Sequence, residues 1–127
     1  MATVHFTKDE LRDAAIARAE DAIAVIRDHP LFQEPAVARW ISAAPARQNR
    51  RRALMVVLSL RTARSTHADA IKSLGASPSI WKRWSAEIQK QERADPAFAD
   101  AIKNGLAAAC EERKTAAAKK RKQKGKP

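Results

Sequence analysis

The chain has 127 residues, a length that fits one domain, and 28 of them are alanine, with only three Phe, three Trp and no Tyr. Alanine favours helices, whereas a β-sandwich needs more β-branched and aromatic residues, so the composition excludes most all-β folds. A net charge of +11 predicts attraction to polyanions, above all nucleic acid. The single cysteine, Cys110, excludes an intramolecular disulfide and any zinc site built on cysteine pairs.

The charge divides the chain into three segments. Residues 1–45 contain five basic and seven acidic side chains, residues 46–112 contain twelve and seven, and residues 113–127 contain eight and none. We expect an acidic helical head over 1–45 that mediates self-association or partner binding, and a basic core over 46–112. The tail over 113–127 has no apolar side chain larger than alanine, so we expect it to be largely disordered beyond about Lys120.

Two helices are expected in the head. Thr7 and Glu10 form a capping-box pattern, and the helix that follows extends to about His29 before Pro30 ends it. Its apolar stripe is Leu11, Ala15, Ala19, Ala22, Ile23 and Ile26. A short second helix is predicted from Pro35 to about Ala43. Its Trp40 is either a core residue, which we favour, or the anchor of a protein interface.

A third helix is predicted from Arg47 to about Thr62. Within it, residues 53–58 are apolar on every side, which indicates a helix buried by neighbours all round. Val56 and Val57 are β-branched and would also suit a strand. We favour a helix because no other segment offers a strand for pairing.

The next forty residues predict three more helices, for a total of about six in an all-α fold. Ser65 or Thr66 is the expected cap of a short helix that ends at Leu74, and Gly75 supplies the turn. Ser77 and Pro78 then open a helix from Ser79 to about Arg93. Asp95 and Pro96 form a second cap-and-proline pair, which opens the last helix. The apolar face of this helix is Phe98, Ile102, Leu106 and Ala109.

The stretch from His67 to Ala86 resembles a helix-turn-helix, in which the second helix enters the major groove of DNA. We expect the second helix to bury Ile80, Trp81, Trp84 and Ile88. Its opposite side would then contact DNA through Ser77, Ser79, Lys82, Arg83 and Lys90. The alternative is an ordinary amphipathic helix whose solvated face happens to be basic.

A narrower resemblance rests on Ala70, the Gly75-Ala76-Ser77 turn, Trp84, and Asp95-Pro96 with Phe98. These motifs are similar to those of the small terminase subunits of tailed phages and related phage regulators. The resemblance covers about residues 66–109. It implies that a helix-turn-helix recognises viral DNA for packaging, and that the helices after it form oligomers.

Two further basic clusters are candidate phosphate contacts. One opens the third helix and comprises Arg50, Arg51 and Arg52, with Arg61 and Arg64 farther along. Its alternative is a solvated first turn. The other, in the tail, comprises Lys119, Lys120, Arg121 and Lys122, which would add non-specific DNA affinity, act as a nuclear address, or only solubilise the chain.

The chain has no motif that predicts an enzyme. His5, His29 and His67 are too scattered for a metal site, and the sequence contains no Gly-rich phosphate loop. We therefore expect a non-enzymatic protein without cofactor or metal that binds double-stranded DNA as a homo-oligomer. The alternatives are a phage or bacterial transcriptional regulator, and an oligomeric adaptor that binds RNA or acidic partners.

The place of the protein in the cell follows from the lack of membrane and export signals. The N-terminus has no secretory pattern, and the longest apolar run, residues 53–58, is far too short to cross a bilayer. We therefore expect no membrane partner and a cytoplasmic location in a bacterial host, with a phage as the possible source of the gene.

Overall fold

The computed structural model describes residues 7–45, 47–64 and 67–124. These residues form six α-helices and one short 3₁₀ helix, and no strand occurs among them, which confirms the all-α prediction. The helices are α1 (Lys8–Ile26), α2 (Pro35–Ser42), α3 (Arg47–Ala63), α4 (Ala68–Ser73), α5 (Pro78–Ala94) and α6 (Pro96–Lys124), and the 3₁₀ helix is Pro30–Gln33.

Three of the described helices, α1, α5 and α6, begin at caps predicted from the sequence. Thr7 forms the predicted capping box with Glu10. The Ser77 hydroxyl accepts a hydrogen bond from the Ile80 amide at 3.2 Å, and an Asp95 carboxylate oxygen accepts one from the Ala97 amide at 3.0 Å. These side chains satisfy amide groups that have no partner within the helix.

Two histidines serve as helix caps. The N-cap of α4 is His67, whose Nδ1 accepts from the Asp69 amide at 3.2 Å, while the predicted caps Ser65 and Thr66 lie outside the described residues. Similarly, His29 caps the 3₁₀ helix through a 3.2 Å hydrogen bond from the Leu31 amide to Nδ1. The predicted end of α1 was about His29. The helix ends earlier, at Ile26, because His29 caps the 3₁₀ helix that follows.

Helix α3 lies at the centre of the molecule. It packs against α1, α2, α5 and α6. Leu54 and Leu58 are fully buried, and Val56 and Val57 are 1% exposed, as expected of a helix surrounded on all sides. The buried Ser59 hydroxyl donates to the Met55 carbonyl, so the polar group remains satisfied within the helix.

The acidic head and the basic core share one hydrophobic core. Ile26, Val37 and Trp40 of the head pack in one cluster with Leu54 of α3 and Phe98 of α6. The Trp40 and Phe98 rings lie 5.5 Å apart between centroids, which confirms Trp40 as a core residue. The boundary at residue 45 therefore separates two charges but not two packing units, and we expect the core to need the head in order to fold.

The 3₁₀ helix and α6 pack closely at Gly105. Gly105 is buried in α6, and a methyl group in its place would lie 2.8 Å from two carbons of the Leu31 side chain. Glycine at this position lets the backbone of α6 approach the 3₁₀ helix, which follows α1 directly. The end of α1 is held against α6 in this way.

Helix α6 extends into the first part of the basic tail. Helix α6 continues to Lys124. The tail contains alanine, lysine and arginine, which have high helix propensity, and a helix that has already started gains one hydrogen bond for each residue added. Among the tail side chains that the structure describes, residues 114–116, 118 and 119 are exposed, in agreement with a tail that adds little to the core.

We expect the shared core to dominate stability. Replacing the fully buried Phe98 with alanine should lower the free energy of unfolding by about 3–5 kcal/mol, since it opens a cavity against Trp40. Leu11→Ala is the control. Its side chain was predicted to face inward but is 52% exposed, so its loss should change stability by less than about 0.5 kcal/mol. Urea denaturation followed by circular dichroism measures both, and equal losses would contradict the core described above.

Candidate nucleic-acid interface

Helices α4 and α5 are joined by the predicted glycine turn. Gly75 has a φ of +85°, a left-handed conformation that favours glycine. Ala70, Ile71 and Ala76 are all 5% exposed or less, so both sides of the turn are buried. They belong to a second hydrophobic cluster, which also contains Ala15, Ala19, Val56 and Leu60. The turn thereby fixes where α5 begins.

The buried side of α5 agrees only in part with the prediction. Ile88 is fully buried, and Trp81 and Trp84 are half-buried. Ile80, by contrast, is 41% exposed, which corrects the prediction that it faces inward. At about 100° per residue, Trp81 and Trp84 lie within about 40° of Ile88 around the helix, whereas Ile80 lies about 80° away. It therefore sits at the edge of the buried arc, in the first turn.

The opposite side of α5 is basic. Lys82, Arg83 and Lys90 are exposed, as is Arg93 one turn on. Among the described residues, none of these four cations has a carboxylate within 4 Å. Their charge therefore remains available for a partner.

The two predicted serines lie at the start of α5. Ser77 is half-buried and uses its hydroxyl for the cap, whereas Ser79 is exposed. Their hydroxyls lie 3.2 Å apart. Ser79 is thus the serine whose side chain is exposed to solvent.

Arg52 comes from α3 to the turn that precedes α5. A methyl group on Gly75 would overlap a terminal nitrogen of the Arg52 guanidinium, so this cation lies directly over the glycine backbone. Arg52 is itself exposed. The fold therefore adds a cation from another helix to the turn that precedes α5.

The other two arginines of the cluster contact the protein itself. The Arg50 guanidinium donates to the Trp40 carbonyl and lies 4.5 Å from the centroid of the Trp40 ring. Arg51 donates to the Arg27 carbonyl at 3.1 Å and lies 4.8 Å from the Phe32 ring centroid. Both arginines hold the head against α3, a role that neither proposed alternative, phosphate contact or a solvated turn, had included.

The remaining predicted residues are dispersed. Arg61 forms an ion pair with Glu92 at 2.9 Å, so its charge is balanced within the protein. Arg64 is exposed just after α3, with a φ of 52°. Lys119 is exposed on α6, while the side chains of Lys120, Arg121 and Lys122 lie outside the described residues.

Two contacts orient α3 relative to α5. Arg52 meets the turn before α5, and Arg61, nine residues farther along α3, meets Glu92 near the end of α5. The two helices therefore run in the same direction. Glu92 consequently faces α3 and does not interrupt the basic side of α5.

The described residues contain no group of three or more His, Cys, Asp and Glu side chains that could hold a metal ion. None of their helices combines the length and the apolar character that a membrane span requires. In comparisons with family models, curated proteins and solved structures, no match to this chain was found.

Arg50 should contribute measurably to stability. Arg50→Ala removes a charged hydrogen bond and a cation–π contact, and we expect it to lower the free energy of unfolding by about 1–3 kcal/mol. Arg50→Lys should recover only part of this loss, because an ammonium group lacks the planar geometry. The control, Arg47→Ala, removes an exposed cation one turn earlier on α3. Thermal melts compare the three, and a melt of Arg50→Ala like that of Arg47→Ala would contradict the assigned role.

Proposed function

We propose that the protein binds double-stranded DNA through the exposed side of α5, with Arg52 and the turn at Gly75 beside the phosphate backbone. The observation that supports this most directly is the cationic row on α5, which has no carboxylate partner among the described residues. We name Arg83, Lys82, Lys90 and Ser79 as the contacts on this helix.

The division of charge on α5 supports the proposal. Its acidic Glu92 is paired with Arg61, and Glu87 is the one exposed carboxylate along the helix. The two half-buried tryptophans and Ile88 hold the other side in the core, so the basic side has a fixed orientation. A rigid helix with cations on one side is suited to major-groove entry, where phosphate contacts position the helix and base contacts specify the sequence.

A helical arm would extend the contact. The part of α6 after Arg113 spans about 16 Å at 1.5 Å per residue, and residues 113–127 contain eight cations and no acid. Such an arm adds affinity that does not depend on sequence, because each phosphate it neutralises releases a condensed counterion.

The role that this binding serves is a separate proposal. The similarity to small terminase subunits suggests recognition of viral DNA for packaging by an oligomer, and a transcriptional regulator is the alternative. Multi-angle light scattering separates the two when combined with a binding site selected from random duplexes. A ring-sized oligomer favours packaging, and a dimer on a palindromic site favours regulation.

Charge reversal on α5 tests the interface. Arg83→Glu should weaken binding to a short random-sequence duplex by tenfold or more, in line with about 1–3 kcal/mol for one DNA contact. The matched control is Arg18→Glu on α1, which changes the net charge equally at an exposed position of the head. Fluorescence anisotropy at several salt concentrations gives the affinities, and circular dichroism confirms folding. Equal weakening by both variants would show that only net charge matters and would reject α5 as the interface.

Truncation after Thr115 tests the arm. Six cations are lost, and we expect lower affinity and a slope of log K against log salt that is less steep by up to about 5. A full-length variant with glutamine in place of the same six cations should behave like the truncation, because the charge matters and not the length. An unchanged slope in both would exclude the arm from the contact.

A further inference from the structure

Ile80 is an apolar side chain in an unusual place. The described residues include two large hydrophobic side chains that are strongly exposed, Leu11 on α1 and Ile80 on α5. Ile80 lies in the first turn of α5, between the exposed Ser79 and the exposed cations Lys82 and Arg83. Because the fold covers this isoleucine only in part, its exposed surface can contact a partner.

The geometry of the first turn couples Ile80 to Arg83. Residues three apart on a helix are neighbours, with about 5–6 Å between their Cβ atoms. Isoleucine is also stiff in a helix, since one χ1 rotamer dominates, so little entropy is lost when it contacts a ligand. The helix therefore holds the apolar side chain of Ile80 and the cationic side chain of Arg83 next to each other before any ligand binds.

The major groove offers few apolar partners for such a side chain. Its base edges present hydrogen-bond donors and acceptors, and the one apolar group on an unmodified base pair is the 5-methyl group of thymine. An arginine, in contrast, forms a bidentate contact with the O6 and N7 atoms of guanine. The Cβ spacing above corresponds to between one and two base-pair steps of about 3.4 Å each.

We propose that Ile80 determines sequence specificity by packing against a thymine methyl group, one or two base pairs from a guanine that Arg83 contacts. This inference rests on the proposed function and deepens it. It assigns to Ile80 a contact with DNA where the sequence pattern had assigned it to the core.

The test compares duplexes that differ by single methyl groups. A high-affinity duplex is first selected from a randomised pool with the full-length protein, and is then synthesised with deoxyuridine at each thymine in turn. Loss of the contacted methyl should weaken binding about fourfold, the equivalent of about 0.8 kcal/mol for one buried methyl-sized group. At that position, 5-methylcytosine should bind more tightly than cytosine.

Variants connect this effect to Ile80. Ile80→Ala should bind the thymine and deoxyuridine duplexes equally and should remain folded, because the side chain is exposed. Leu11→Ala, the other exposed apolar residue, should discriminate as the parent does.

Each outcome has one meaning. If the full-length protein binds no duplex, the proposed function itself fails. If it binds but no deoxyuridine substitution weakens binding, or Ile80→Ala still discriminates, only the Ile80 assignment is overturned. A change of oligomeric mass in Ile80→Ala, with discrimination absent in the parent, would also overturn it and would place Ile80 at an interface between copies.

Discussion

The burial of α3 from Ala53 onward is the constraint on which the rest of the structure depends. A helix with apolar residues around its whole circumference cannot lie at a surface, so α1, α2, α5 and α6 must surround it. The acidic head is therefore needed to cover one side of α3, although its net charge is opposite to that of the basic core over 46–112. The same enclosure fixes α5, since Ile88 and Trp84 pack into the cluster that contains Leu54 and Leu58. The orientation of the basic side of α5 thus follows from how its other side is buried.

Enclosure also decides what each arginine at the start of α3 does. Three consecutive residues point in directions about 100° apart, so neighbours on different sides of α3 meet different side chains. Arg50 and Arg51 point towards the head, where carbonyl oxygens and the rings of Trp40 and Phe32 receive them. Arg52 points towards the turn at Gly75. One run of identical residues therefore supplies two contacts that hold the head and one cation beside α5.

The fold pairs some charged side chains from different helices and leaves others exposed. The charge of Arg61 is balanced by its ion pair with Glu92. In the head, the Arg12 Nε atom lies 3.8 Å from a carboxylate oxygen of Asp69 on α4. These pairs place acidic side chains of α4 and α5 next to cations from other helices. The row on α5 belongs to the cations of the basic core that stay exposed after such pairing, and it is the basis for the proposed DNA contact. In the second cluster, the small side chains Ala15, Ala19 and Ala70 allow α1 and α4 to approach closely enough for this arrangement.

The sequence by itself determined the helical class, the caps at Thr7, Ser77 and Asp95, the turn at Gly75 and the burial of α3, because these depend on neighbours within a few residues or on periodicity. Only the tertiary structure decided which cations are free and which apolar residues are covered. Ile80 and Trp81 are adjacent and both apolar, yet only Ile80 remains strongly exposed, because coverage depends on where α5 meets its neighbours. The contacts of Arg50 with Trp40 join residues ten positions apart on different helices, and no local pattern specifies such a meeting. Propensity and capping act along the chain, whereas pairing and burial depend on how the helices pack.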